Sequence, residues 1–524
     1  MDSPTPNPQL WPPFRPVHTL SYEEIQQERI QIGIRIPELE LYIHQLKQRH
    51  NTLSPISKLS PDVLLCVFEH LQSPFLHDTS GDAEHEPPTY PFILQTPLNP
   101  GPHKPEMQLD WVRAMTHVCS TWRALALETP TLWTRLRFKC EPLLDEMCRL
   151  SRAIPVSLIC DTKETYRHGH PFLSEFLLEV GDRVKHLEIA VPTVYIDQIT
   201  TISDGLKSLS TSILEAFFCK TGGPDRGVDL PLGFLRNSSN NLRYLTLDGC
   251  NFQNEGLAHS IDPINLPSLL ELTIANDAGQ CAEALRRVIV PDSCVVSIAT
   301  YDKADFGALN DALRVFWQLR WREGRPLKSV SIVRPSKPLH STKICLGDDT
   351  KPLSKSFVLL LCGISPTDHR TTDVIHGFVS SLPGKDVSHL SVGIEINPRI
   401  WSSLSSSCPG VRSLEVRNKN LYGFLHALGH RNSSKRVDGS GSMEGPITVE
   451  TFLSLETLTL DGFKLDVIHG RETLLEWIRN RVSWCIPLKG LNLLSCVATP
   501  DEFIENLRQL VEVVHSDLAV GSSQ

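Results

Sequence analysis

The pentapeptide LTLDG stands at residues 245–249 and again, unchanged, at 458–462. Around both copies the apolar residues follow the spacing apolar-x-x-apolar-x-apolar: Leu242, Leu245 and Leu247 in the first, Leu455, Leu458 and Leu460 in the second. The same spacing begins at Val184, Ile213, Leu269, Leu327, Val387, Val411 and Leu488. The first three steps along this series are 29, 29 and 27 residues, and the next two, of 58 and 60, each have room for a skipped copy. The alternating tail of each copy predicts a short strand with one buried face, and helix-like or irregular sequence returns between copies. A unit of this period cannot bury its apolar face alone, so neighbouring units must stack.

With that consensus the region 140–520 resembles leucine-rich repeats, which implies an α/β solenoid, leucine-rich-repeat-like, preceded by smaller helical parts. The asparagine or cysteine expected just after each strand is mostly missing, and Cys250 is the best match. The run RNSSKRVDGSGSMEGP at 431–446 predicts an exposed flexible loop. On solenoid strands the intervening residues line the concave face. Here they are Tyr244, Thr246, Asp248, Glu271, Thr273, Ser413, Glu415, Arg417, Thr457, Thr459 and Asp461, the candidate target-binding set. They are small, polar and on balance acidic, which suits a basic or hydrogen-bonding target.

The N-terminal part reads differently. Residues 1–19 carry six prolines and predict an extended, disordered tail. A heptad-like helix over 20–50 comes next, with Tyr22, Ile25, Arg29, Ile32, Ile36, Leu39, Ile43 and Leu46 spaced alternately by three and four. Such a stripe is either a coiled-coil partner surface or the inner face of a helix packed on its own domain. Pro37 predicts a kink or the start of a second helix, since an interior proline costs about 3 kcal/mol. Next, LSPDVLLCVFEHL at 59–71 starts like a helix: Ser60 caps, Pro61 suits the first turn and Asp62 favours the positive end of the dipole. Val63, Leu64, Val67, Phe68 and Leu71 make an apolar stripe so wide that the helix must be buried on more than one face. A second helical signal covers 109–127, with Val112, Met115, Val118, Cys119, Trp122 and Leu125 on one face. Between the two, residues 72–109 show no sustained periodicity and predict a flexible insertion.

Leu59-x-Pro-Asp, the apolar run to Leu71 and the later Val118-Cys-x-x-Trp-Arg-x-Leu-Ala126 together resemble the F-box. Pro130-x-Leu-Trp133 resembles the segment just C-terminal to that motif in fungal F-box proteins, a group that also tends to carry an upstream heptad-like helix and degenerate leucine-rich repeats downstream. The chain departs from the pattern in the insertion of about 38 residues and in Ser60, where the family prefers proline. Lengthening a short link fourfold costs roughly 1.2 kcal/mol of closure entropy. That is small beside burying Phe68, Trp122 and several leucines at about 1.5–3 kcal/mol each.

The resemblance implies an F-box-like helical module over 54–135 that docks on a Skp-type adaptor and through it a cullin–RING ubiquitin ligase. The repeats would then hold an unknown protein target. The adaptor-binding set it implies is Leu59, Pro61, Val63, Leu64, Val67, Phe68, Leu71, Val118, Cys119 and Trp122, of which Phe68 and Trp122 suit the internal core best. The alternative is a repeat scaffold in which the hairpin only caps the solenoid.

No feature announces an enzyme or a cofactor. GxxxxGK[ST], GxSxG, HExxH and a helix-opening GxGxxG are all missing. Arg167-His168-Gly169-His170 lacks a third metal ligand at a recognisable spacing, and Cys140 and Cys148 flank a helical stretch that reads as core. A formal net charge of −9 argues against a general nucleic-acid binder. The opening sixteen residues lack the basic and apolar regions of a secretory signal, and no run has the roughly 18 apolar residues of a membrane span. Fourteen scattered cysteines with no CxxC pair then predict reduced core thiols of an intracellular protein, cytoplasmic or nuclear.

Overall fold

The computed structural model describes residues 16–72, 112, 115–137, 141–161, 172–191, 205–206, 209, 213–221, 228–230, 232–252, 262–301, 306–320, 326–333, 341–347, 357–362, 369–417, 424, 452–463, 468–496 and 501–516. Two compact units meet in the sequence between Leu132 and Trp133. Among the described residues no helix is long and apolar enough to cross a membrane. The loop at 431–446, the histidines at 168 and 170 and most of the expected insertion lie outside the described residues.

The N-terminal unit is helical. Helix α1 (Tyr22–Leu53) opens on a capping box in which the Ser21 hydroxyl accepts from the Glu24 amide and the Glu24 carboxylate accepts from the Ser21 amide. It continues through Pro37 as one helix, so no second helix opens there. The proline ring crowds the carbonyl four residues back, and that residue is Gly33, with open space where a Cβ would stand. None of the residues of α1 is buried. Helix α2 (Pro61–Gln72) comes next, then α3 (Ser120–Glu128). The helix expected over 109–127 is interrupted. Residues 115 and 116 are helical, the chain leaves the helix at 117–119, and Cys119, extended at φ −157°, caps a new one with its Sγ accepting from the Trp122 amide at 3.5 Å.

The second unit is built on one sheet of fifteen strands. In chain order they are β1 (Arg135–Arg137), β2 (Val156–Asp161), β3 (Val184–Val191), β4 (Ala216–Thr221), β5 (Tyr244–Asp248), β6 (Glu271–Asn276), β7 (Val295–Thr300) and β8 (Ser329–Val333). After them come β9 (Ser341–Gly347), β10 (Phe357–Cys362), β11 (His389–Gly393), β12 (Ser413–Arg417), β13 (Thr457–Asp461), β14 (Gly490–Leu494) and β15 (Val513–Ser516). The order in space is the order in sequence, all parallel, with one exception. Strand β10 lies beside β7, β9 pairs antiparallel with both β10 and β8, and β8 lies beside β11. Helices α4 (Glu141–Ser151), α5 (Phe172–Val180), α6 (Leu232–Ser238), α7 (Ala278–Arg287), α8 (Gly307–Arg320), α9 (His369–Ser381), α10 (Pro398–Ser407), α11 (Ile468–Ser483) and α12 (Asp501–Arg508) connect strands that are consecutive in the chain. The architecture is therefore a large, mostly parallel, open α/β sheet. Strands β8, β11, β13 and β14 alternate half-exposed and buried residues, so one face is covered and the other is open.

All nine expected copies carry a strand of this sheet, and β7 fills the first long step. One copy is out of register by a residue. Leu214, Phe217 and Cys219 point into the core, in place of the expected frame beginning at Ile213. Ala216 and Phe217 are both apolar, and a period of two gives no means of choosing between adjacent apolar frames until the opposite face is known.

Ties between neighbouring copies recur at equivalent positions. In both LTLDG segments the glycine has positive φ, 67° at Gly249 and 76° at Gly462, and its amide donates to the next strand, to Ala275 O at 2.6 Å and Leu494 O at 2.9 Å. A side chain would strain that backbone, which is why the glycine recurs. Eight positions after the start of their copies at Leu242 and Leu488, Cys250 donates its thiol to Cys219 O and Cys496 donates to Leu460 O. A third set, of arginines near the ends of helical segments, lies within a unit and ties each helical segment back to the chain just before the strand it follows. Arg183 donates to Ile154 O, Arg320 to Cys294 O and Arg481 to Phe452 O and Leu455 O, each acceptor lying just before a strand.

Candidate functional site

In the helical unit α2 divides its apolar stripe between two directions. The Ser60 hydroxyl accepts from the Val63 amide at 3.4 Å and starts the helix. Leu64 and Phe68, one turn apart, are buried. Phe68 meets Trp122 of α3 edge to face, with ring centroids 5.1 Å apart and planes at 64°. Asn51, near the end of α1, donates its side-chain amide to Val118 O at 3.4 Å, and Arg123 donates to Thr116 O at 2.7 Å, so the turn before α3 is held on both sides. The remaining apolar residues face outward: Leu59 is 38% exposed, Val63 46%, Val67 36% and Val118 45%. Pro61 is exposed too, and Cys119 is half-buried as a cap. The Leu71 side chain lies outside the described residues. The ten expected positions thus separate into an internal set (Leu64, Phe68, Trp122) and an open set (Leu59, Pro61, Val63, Val67, Val118).

On the sheet, the intervening residues of successive strands fall into rows. Ser413 pairs with Thr457, Glu415 with Thr459 and Arg417 with Asp461, while Tyr244 pairs with Glu271 and Thr246 with Thr273. At the β11–β14 end these rows form a polar network. Ser391 donates to Glu415 at 3.0 Å, Arg417 donates to Glu415 at 2.7 Å and lies 3.8 Å from Asp461, and Asn492 donates to Thr459 at 3.0 Å. Ser391 and Asn492 are absent from the expected set because they belong to copies with a weaker sequence pattern.

Two members of the expected target-binding set are not at the surface. Thr273 and Asp248 are buried, beside a small apolar cluster on the same face made by Ala275, Ala299 and Leu360 with Tyr301 packed against it. Alternation alone placed them outward. Tertiary packing covers them, because the small alanines let Tyr301 lie close and donate its hydroxyl to Asp248 Oδ1 at 3.2 Å. Burial pushes the Asp248 carboxyl up from 3.8 to about 6, against the opposing pull of Lys220 and the Tyr301 hydrogen bond. An acid whose folded value lies above its unfolded one loses stability on ionising, a cost present above about pH 6 and gone below about pH 4. Asp248→Asn is therefore expected to raise stability by about 1–2 kcal/mol near pH 8 and to leave it unchanged near pH 4. Thermal melts of both proteins across that range check this, and a gain independent of pH would contradict it.

Among the described residues no group of three or more His, Cys, Asp or Glu side chains could hold a metal ion. Cys148 is half-buried with its thiol pushed up to about 11 by burial, the reverse of what a nucleophile needs. Cys140 lies outside the described residues. Every described cysteine is a free thiol, and those of the sheet (Cys160, Cys219, Cys345) are buried. What the geometry offers is a small apolar patch on a braced helix pair and a polar open sheet face. Compared with known proteins, the chain matches no protein-family model and no curated protein.

Proposed function

We propose that the chain is a non-catalytic substrate-recognition adaptor of a Skp–cullin–F-box type ubiquitin ligase. The observation that carries this reading is the division of α2. Phe68 and Trp122 lock the two motif halves together internally, while Val63 and Val67, one helical turn apart, face outward and Leu59 is exposed in the extended segment just before the helix. A groove in the adaptor reads apolar anchors one helical turn apart, as Val63 and Val67 are. In this reading the sheet is a degenerate leucine-rich-repeat solenoid. Its sequential parallel strands, the recurrent glycine, cysteine and arginine ties and the single open face support that assignment. The open face, with its Glu415–Arg417–Asp461 network, receives the target, and ubiquitin is transferred by other subunits.

The test is a binding titration of the full-length chain against a purified Skp-type adaptor. Val63→Asp with Val67→Asp is expected to weaken binding by at least about tenfold, since a buried, unpaired charge opposes docking. Both positions are exposed, so folding should be unaffected, as circular dichroism will verify. Undiminished binding would remove the F-box assignment or its register. No binding by the folded wild type would leave a repeat scaffold with a structural hairpin.

A further inference from the structure

Helix α1 is 32 residues long and buries none of them, although Ile36, Ile43 and Leu46 of its heptad stripe are each about half exposed. A helix of this length in water needs its apolar stripe covered. We propose that α1 pairs with α1 of a second copy of this chain as an antiparallel coiled coil. The pairing does not rest on the adaptor reading above.

Charge selects both the occupant and the direction. The first third of α1 carries Glu23, Glu24 and Glu28 against one cation, Arg29, while the last third carries Lys47 and Arg49 and no carboxylate. Antiparallel pairing lays these two ends side by side, and the two helix dipoles also oppose favourably. In the register that sets Ile36 against the second copy's Leu39, the six seam residues from Arg29 to Leu46 of one helix each meet one of the same six in the other, while Ile25 falls opposite the second copy's His50 and Tyr22 opposite its Leu53. Arg29 then lies against the second copy's Leu46, and Glu28 comes beside its Arg49. Parallel pairing would instead set Arg29 against itself in the seam and leave Glu28 opposite Gly33, which has no side chain. Ile30, Ile34 and Leu41 are equally exposed but lie on the far side of the helix, which makes them an internal control.

The experiment is sedimentation velocity on the full-length chain at micromolar concentration. The wild type is expected at twice the 58.7 kDa chain mass. Ile36→Asp with Ile43→Asp should give a monomer, and Ile34→Asp with Leu41→Asp should stay dimeric. Glu28→Arg should weaken the dimer by about tenfold, and adding Arg49→Glu should restore it, because exposed charge pairs reversed at two symmetric contacts change affinity by about that much. A wild-type monomer, a higher oligomer, a dimer that survives the seam pair, loss of the dimer on the far-side pair, or a charge swap that fails to rescue would each overturn the proposal.

Discussion

Trp122→Ala is expected to unfold the helical unit while leaving the sheet folded. The indole is buried and meets the Phe68 ring in an edge-to-face arrangement, and removing a large aromatic from such a site costs about 3–5 kcal/mol through lost transfer energy and the cavity left behind. The arrangement adds about 0.5–1.5 kcal/mol beyond area, so a double-mutant cycle of Phe68→Leu with Trp122→Leu should show coupling of that size. Hydrogen exchange localises the effect. Amides of α2 and α3 should lose protection, and those of β11–β14 should keep it. The contrast is Val67→Asp, outward on the same helix, which should cost under about 1 kcal/mol in stability. Equal losses at Phe68 and Val67 would mean that α2 does not have an inside and an outside.

The second large effect concerns Arg481, only 1% exposed. It donates to Phe452 O at 2.9 Å, Leu455 O at 2.7 Å and Leu453 O at 3.4 Å, and its guanidinium lies 5.1 Å from the Trp477 ring centre. Burial pulls the guanidinium down to about 10, so it stays charged at neutral pH. Phe452 needs the support, since its φ of 52° is left-handed and non-glycine, a conformation held by Arg481 on its carbonyl and by Ser405 Oγ on its amide. Arg481→Met keeps the bulk and strands the carbonyls, at about 1–3 kcal/mol for each buried unsatisfied group and about 3–5 kcal/mol in all. Arg481→Lys should recover only a part, because one ammonium cannot reach acceptors three residues apart as a planar fork does. Thermal melts with exchange at β13 and β14 read the result. Loss below about 1 kcal/mol in Arg481→Met would deny the side chain this role.

How legible these features were depends on their range. Leu64, Phe68 and Trp122 were marked as apolar positions in helical phase, and strands β3–β6, β8 and β11–β14 each arose from an apolar-x-x-apolar-x-apolar run. The arginine ties are not legible in the sequence because Arg183, Arg320 and Arg481 sit in helical segments, where arginine ordinarily signals solvent. Their spacing of 26 or 29 residues from the acceptors appears only when the carbonyls are located. Cys496 occupies the same position as Cys250 relative to its copy and was open to detection by that spacing. The break at 117–119 is hidden in the sequence because Val118 and Cys119 fit helical phase, although one of them is exposed and the other caps.

By itself, then, the sequence determined what local periodicity can encode: a helical N-terminal part, a repeated strand-forming unit and, in every copy but the one at Ile213, the apolar residues that face the core. Only the tertiary structure decided which way the doubtful copy at Leu214 is phased, that β8–β10 enter the sheet in reverse order, that Asp248 and Thr273 are covered, and which apolar residues of α2 remain open. Those outcomes depend on contacts between residues far apart in the chain, where burial is settled by what arrives on the opposite face, and no pattern of period 2 or 3.6 carries that information.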